Sequence, residues 1–412
     1  MNRLRNLICS LVLCLLLAAP AAALTVAGRA LGPEGQPLAG VLVSDGVGVV
    51  ASDHEGRYRL QSAPGRVVAI TAPAGLRVKG PWWLPAAAAA AQQVFRLAPA
   101  RPLEARLRLV IISDPHLFDA SSPQQGRYRG QVDPGLPLRA WQAALPGIKE
   151  FNPHLSLMAG DLCMDADRGP LAHARAQFRV AARAWDQMPG PKRAVPGNHD
   201  LRYDGGRVDR ALWHEFLGPA RHVYILGPLA VLLLDNPGLG QRPDGRPRST
   251  GQLPAEALAW LDRALALLPP QTPLVVVSHY PLASPLAGIN PLYRGAVVKA
   301  PGPAGLALRD VDQSAALVMG LLLRRPLVGL ISGHQHALYQ ARLRSLPQAV
   351  HLLGAPALCG RWWQGDMAYG PLRFPPGYLQ AWLSQDQEGW HLATQLVRGK
   401  WAPPGGARKN QP

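Results

Sequence analysis

Five strand-like runs in the middle of this chain end in side chains of the same few kinds. "LRLVIISDPH" ends on Asp114 and His116, and "HLSLMAGD" on Asp161. "KRAVPGNHD" ends on Asn198 and His199, "PLVVVSHY" on His279, and "PLVGLISGHQH" on His334 and His336. The apolar stretches before these groups read as buried strands. Between them lie helical patterns, such as "GPLAHARAQFRVAARAWDQM" and "LPAEALAWLDRALALL". Strands that alternate with helices predict an α/β class with layered sheets. In such sheets ligands gather outside the carboxyl ends of the strands. A histidine at one strand end would be read as a satisfied structural residue. Groups able to bind a metal or move a proton at five such ends constrain the fold to bring those ends together.

The spacing sharpens this. Asp114-x-His116 and His334-x-His336 are i, i+2 pairs, whose side chains share one side of an extended backbone. Gly160, Gly197 and Gly333 directly precede polar groups and permit tight turns and close approach. The set offers imidazoles, carboxylates and one amide, with no thiolate. That suits Mn, Fe, Zn or Co better than an all-oxygen calcium site. Asp114, His116, Asp161, Asn198, His279, His334 and His336 are too many ligands for one tetrahedral ion. They fit two divalent metal ions sharing a bridging carboxylate, the arrangement that clamps the oxygens of a phosphate ester.

The motifs "DPH", "GD", "GNHD", "SHYP" and "GHQH", in that order over roughly residues 105–345, resemble those of the calcineurin-like metallophosphoesterases. The resemblance implies a four-layer α/β/β/α metallophosphoesterase sandwich. It implies that Asp114, His116 and His336 bind a first metal, and Asn198, His279 and His334 a second. Asp161 bridges both, and His199 acts on the phosphoryl group or the leaving oxygen. The implied reaction is hydrolysis of a mono-, di- or pyrophosphate ester by a metal-bridging hydroxide. Asp165 and Asp167 are candidates to orient His199, and Asp200 is read as a turn or cap residue. Arg202, Arg361, Trp362 and Trp363 are weaker candidates for contact with substrate. His154, His173, His214, His222, His351 and His391 lie outside the motifs and are read as structural. No residue is assigned to substrate binding, because specificity resides in long insertions such as "DNPGLGQRPDGRPRSTG" and "SPLAGINPLYRGAVVKAPGPAG".

Around this core the sequence changes character. Arg3 and Arg5, the apolar "LICSLVLCLLLAA" and the small residues Ala21 and Ala23 predict a signal peptide over residues 1–23. A periplasmic or secreted location follows, and no later stretch reads as a membrane span. Residues 24–100 alternate short apolar runs with "GPEGQP" and "DHEGR" turns, predicting a small all-β sandwich. That segment resembles the carboxypeptidase-regulatory-like sandwich, and the whole resembles a bacterial branch with accessory domains. "LPAAAAAAQQVFRLAPARP" reads mainly as a connector. Residues 346–400 lose the helical pattern and predict a small C-terminal β-rich accessory region appended to the core, followed by a disordered tail at 401–412.

The formal net charge is +17, and falls to +15 once Arg3 and Arg5 are removed with the leader. This favours anionic partners, such as phosphate esters, anionic lipid head groups or nucleic acid, and with the resemblance it implies a phosphorylated small-molecule or lipid substrate. Arg is scattered and not interleaved with aromatics, so no specific nucleic acid is indicated. Only Cys163 and Cys359 lie beyond the leader, and one disulfide or two buried thiols are both open. The rival class is a catalytically inactive envelope-binding protein with a retained metal core. The complete ligand set argues against it.

Overall fold

The computed structural model describes residues 24–89, 93–121, 133–204, 206–241, 247–286, 297–298, 307–308, 310–344, 349–360, 365–369 and 372–401. The leader (1–23), Arg361, Trp362, Trp363 and tail residues 402–412 lie outside the described residues.

Residues 24–99 build two four-stranded sheets. Their shared core holds Val26, Val43, Leu60, Val68, Ile70, Phe95 and Leu97. In Arg57–Ser62 every second residue is buried, the period of a strand with one wet face. The stretch expected to be a connector contains a strand, Gln93–Pro99. It runs parallel to Leu24–Leu31 and antiparallel to Leu76–Val78. Phe95 and Leu97, two residues apart, bury on one face there, and this alternation outweighs the surrounding Ala and Pro.

The middle of the chain forms two mixed sheets packed face to face. The first has the order Lys192–Ala194, Leu155–Met158, Leu107–Ile112, Gly377–Asp386, Gly389–Arg398. The second has the order His222–Leu226, Leu229–Leu234, Leu274–Ser278, Leu327–Ser332, Val350–Gly354, Tyr339–Leu343. Alternation within each strand assigns the layers. Leu109, Ile111 and Leu157 of the first sheet pack against Val231, Leu233, Val275 and Val277 of the second. On its outer face the first sheet turns Val110, Ile112 and Met158 to the helices Leu136–Phe151 and Leu171–Asp186. The outer face of the second sheet turns Ala230, Leu232 and Val276 to Ala255–Leu267 and Ala315–Leu322. The result is α/β/β/α. Four strands of the second sheet run parallel, from Leu229–Leu234 to Val350–Gly354.

The C-terminal strands are not an appendage. Val350–Gly354 sits inside the second sheet, and Gly377–Asp386 pairs with Leu107–Ile112 to extend the first. Leu379, Ala381 and Leu383 bury into the core between the sheets. Loss of the helical period in this region marks the chain's return to sheets already begun.

The β-sandwich is seated on the second helical layer. Leu42 and Val49 share a core with Trp260 and Leu261. The Trp260 indole N–H donates to Ser44 Oγ at 2.8 Å, and Thr71 Oγ1 donates to the Val223 carbonyl at 2.7 Å. No helix among the described residues is long and apolar enough to cross a membrane.

Cys163 and Cys359 are both free and buried, which decides between the two readings of these residues. Burial, foremost, pushes both thiols up and keeps them unreactive. Thiol titration of a chain beginning at Leu24, prepared without reductant, should find no reactive thiol when folded and two after unfolding. Finding none after unfolding would mean that a disulfide had formed.

Candidate active site

The five motif-bearing strand ends converge at one edge of the paired sheets. Leu107–Ile112 and Leu155–Met158 are parallel neighbours, so Asp114 and Asp161 leave their strands side by side. Asp114 N–H donates to the Gly160 carbonyl at 3.0 Å, and His116 N–H to the Asp161 carbonyl at 3.1 Å. Leu274–Ser278 and Leu327–Ser332 are likewise parallel and deliver His279, His334 and His336 from the second sheet. His334 N–H donates to Asp114 Oδ2 at 3.1 Å, which ties the two sheets together at the site.

The backbone here is held in a conformation that side chains other than glycine seldom adopt. Asp114, His116, Asp161, His334 and His336 all have φ between 47° and 65°. Left-handed residues of this kind cost energy and cluster at functional sites. The turns re-aim each side chain from its strand toward a common point. The glycines make room for this. A Cβ on Gly197 would collide with the Asp161 carboxylate, one on Gly160 with the His279 ring, and one on Gly333 with Ser113 Oγ.

Two groups of donors result. Asp114, His116, Asp161 and His336 place ligand atoms within 4.8 Å of one another, as do Asp161, His279 and His334. Asp161 belongs to both. Asn198 Oδ1 lies 3.2 Å from His279 Nε2 and so joins the second group. His116 Nε2 and His336 Nε2 are 3.2 Å apart, and His336 Nε2 is 3.2 Å from Asp114 Oδ1. Two imidazoles on one ion, each at about 2.1 Å, stand about 3.2 Å apart at a bond angle near 100°. Asp114 Oδ1 is buried, with His336 Nε2 as its close neighbour. The donor set and its spacing therefore fit divalent cations.

The electrostatics agree. Burial, the largest influence on Asp114 and Asp161, acts to raise both carboxyls. The neighbouring histidines outweigh it, foremost His336 at Asp114 and His279 at Asp161. Asp114 is held low and Asp161 well below the ordinary range. Burial pushes His116 down to about 3, which keeps it neutral and able to ligate. Burial also lowers His279, but Asp161 more than offsets this and pushes it up to about 9. The negative potential that holds a proton on His279 attracts a cation equally well.

Supporting contacts complete the site, and most carry no sequence signal. His279 Nδ1 faces the Ala159 carbonyl at 2.8 Å, which fixes the ring and aims Nε2 inward. Asp310 Oδ1 lies 3.3 Å from His334 Nε2, and Ser113 Oγ bonds the Asp114 carboxylate. Asn236 binds the backbone of Tyr280 on both sides, donating to its carbonyl at 2.8 Å and accepting its N–H at 3.1 Å. Of the two carboxylates considered for His199, Asp167 faces its Nδ1 at 3.5 Å, and Asp165 binds His173 instead at 2.9 Å. Burial lowers His199, but Asp161 and Asp167 reverse this and push it up to about 9. Arg202 donates to the Gly169 carbonyl at 3.1 Å, a contact within the loops.

Asp200 is a tether, as its turn position suggests. Its buried carboxylate accepts from the backbone N–H groups of Leu162, Cys163 and Gly197 at 3.1, 2.7 and 2.8 Å. It binds the Asp161 turn to the Asn198–His199 turn.

These features define a dinuclear centre at the joined edges of a two-sheet α/β sandwich. The chain belongs to the calcineurin-like phosphoesterase family, which matches residues 107–338, and the N-terminal region of that family matches residues 24–100. The family is dependent on two metal ions. The chain is 28% identical over 187 residues to the 3',5'-cyclic adenosine monophosphate phosphodiesterase CpdA of Escherichia coli strain K12. That alignment covers 43% of this chain and 57% of the relative, so just over half of the relative's length is spanned. A dimetal phosphatase from Danio rerio aligns with 71% of this chain and 99% of its own, at 13% identity and a TM-score of 0.45. Vps29 from Entamoeba histolytica aligns with 71% of this chain and 100% of its own, at 12% identity and a TM-score of 0.26.

Asp200→Asn keeps the side chain's shape but replaces one accepting oxygen by an NH2 group, which faces at least one of the three N–H donors. The expected cost is about 1–3 kcal/mol in denaturant unfolding. Metal affinity should fall about 10- to 100-fold in a metal titration, because two ligand-bearing turns lose their common anchor.

Proposed function

We propose that this chain is an exported phosphoesterase that hydrolyses a phosphate ester of a small molecule or lipid at a two-metal centre. The observation that carries this reading is the pair of donor groups sharing Asp161. Asp114, His116 and His336 would hold one ion, and Asn198, His279 and His334 the other, with Asp161 on both. When bound, the ions supply an activated water and neutralise charge on the phosphate oxygens. Likeness to a cyclic-nucleotide phosphodiesterase favours a phosphodiester among the possible esters. The basic start and apolar run of residues 1–23 support export to the periplasm or beyond.

The protein's own side chains do the rest. His199 stands edge-on to His116, with ring centroids 5.1 Å apart, at the border of the first donor group. Its backbone N–H donates to Asp161 Oδ1 at 2.8 Å, which fixes its place relative to the shared carboxylate. Asp167 faces Nδ1, so Nε2 is the atom that would deliver a proton to the leaving oxygen. Asp161 and Asp167 both favour the protonated imidazole, the form required of a general acid.

Asp161→Asn and His199→Ala should each lower aryl-phosphate hydrolysis by about 10²- to 10⁴-fold, measured with Mn²⁺-loaded protein. Hydrolysis at the parental rate by either variant would refute the assignment. Asp167→Asn should lower kcat about tenfold while leaving KM and metal content near parental values, because it acts through the orientation and protonation of His199. Comparing aryl monophosphate, aryl diester, nucleotide sugar and phospholipid on one preparation would define the ester class.

A further inference from the structure

The seam between the β-sandwich and the phosphoesterase domain holds a second site built from charged side chains. Arg210 makes two hydrogen bonds to the buried carboxylate of Asp235, through Nε and Nη2. Arg221, only 6% exposed, reaches the same carboxylate at 3.4 Å. Two guanidiniums thus share one buried acid. Glu256 lies 3.9 Å from Arg221, but its side chain is half exposed. Asp45, on the sandwich side, is occupied by the backbone of Val47 and Gly48, by Ser62 and by Arg66. Arg221 is thus balanced by a buried acid that it shares with Arg210 and by a half-exposed one, Glu256. Arg221 Nη1 is buried with no hydrogen-bond partner among the described residues.

That guanidinium lines a cavity of about 150 Å³ together with Arg66, Arg210 and His214, and with the carboxylates Asp45, Asp235 and Glu256, of which Asp45 and Asp235 are already engaged. Beside it lies a larger cavity of about 630 Å³, walled by Trp82, Trp83, Leu84, Pro85 and Ala211. Arg66 and His214 line both, so a charged end and an apolar end meet across these two side chains. The larger cavity falls within the roughly 300–1,000 Å³ of pockets that enclose small organic ligands. Guanidinium groups bind carboxylate, phosphate and sulfonate oxygens through paired N–H donors. We propose that this seam binds a small organic anion, its oxyanion head on Arg221 and its apolar body against Trp82, Trp83 and Leu84. The site is distinct from the dinuclear centre and does not depend on how that centre is assigned.

Calorimetric titration of the metal-loaded chain with 1-naphthalenesulfonate and with sulfate tests this. The expected result is one equivalent of naphthalenesulfonate, bound at least tenfold tighter than sulfate and unchanged in Asp161→Asn. Arg221→Gln should weaken both anions at least tenfold. Ala211→Trp, a change at an exposed position on the cavity wall, should weaken naphthalenesulfonate at least tenfold and leave sulfate unaffected. Thermal unfolding identifies any variant that fails to fold. The proposal is overturned if the parent binds neither anion at millimolar concentration. It is also overturned if folded Ala211→Trp binds naphthalenesulfonate as the parent does, or if binding is lost in Asp161→Asn.

Discussion

A single buried carboxylate organises this protein. Asp161 is shared between two groups of imidazoles, and it also accepts the His199 backbone N–H. Its side chain is almost wholly removed from water, where an isolated negative charge would be untenable. The surrounding residues respond to that charge. Asp161 raises His279 and His199, and the histidines hold Asp161 ionised. A pocket of this potential selects cations. Its geometry, with donors from both sheets around one shared group, suits a pair of them.

The two-sheet architecture makes this sharing possible. Parallel neighbours in each sheet bring their carboxyl ends out at the same edge, and the face-to-face core holds the two edges in register. Left-handed turns then swing the ligands inward at a local energetic cost. That cost is met by cross-links between the turns. The Asp200 carboxylate ties the Asp161 turn to the Asn198–His199 turn, and the His334 N–H bond to Asp114 joins the sheets. The glycines at 160, 197 and 333 are required because neighbouring ligand-bearing groups occupy the space a Cβ would need.

Much of this is legible in the sequence because strand ends and ligands coincide. The apolar runs mark buried strands, and the polar residues that follow must lie at the sheet edge. Helices such as Leu171–Asp186 show their period plainly. The β-rich C-terminal run is harder to place, because period-two alternation identifies a strand but not its partner. Gly377–Asp386 could not be assigned to the first sheet from its pattern alone. The supporting residues are also hidden. Asp167 and Asp310 reach their histidines through loop geometry, and nothing in their neighbours distinguishes them from solvated acids. Gln93–Pro99 was masked by an Ala- and Pro-rich context that disguises a short alternating strand.

The β-sandwich shares a hydrophobic core with the helical layer behind the second sheet, so the two parts are joined by packing as well as by hydrogen bonds. Binding of two ions depends on the shared carboxylate of Asp161. Anomalous diffraction from crystals of the Mn²⁺-loaded protein tests it most directly. Two peaks about 3.5–4 Å apart are expected, both within bonding distance of Asp161. A single peak, or two peaks with Asp161 bound to neither or only one, would contradict it.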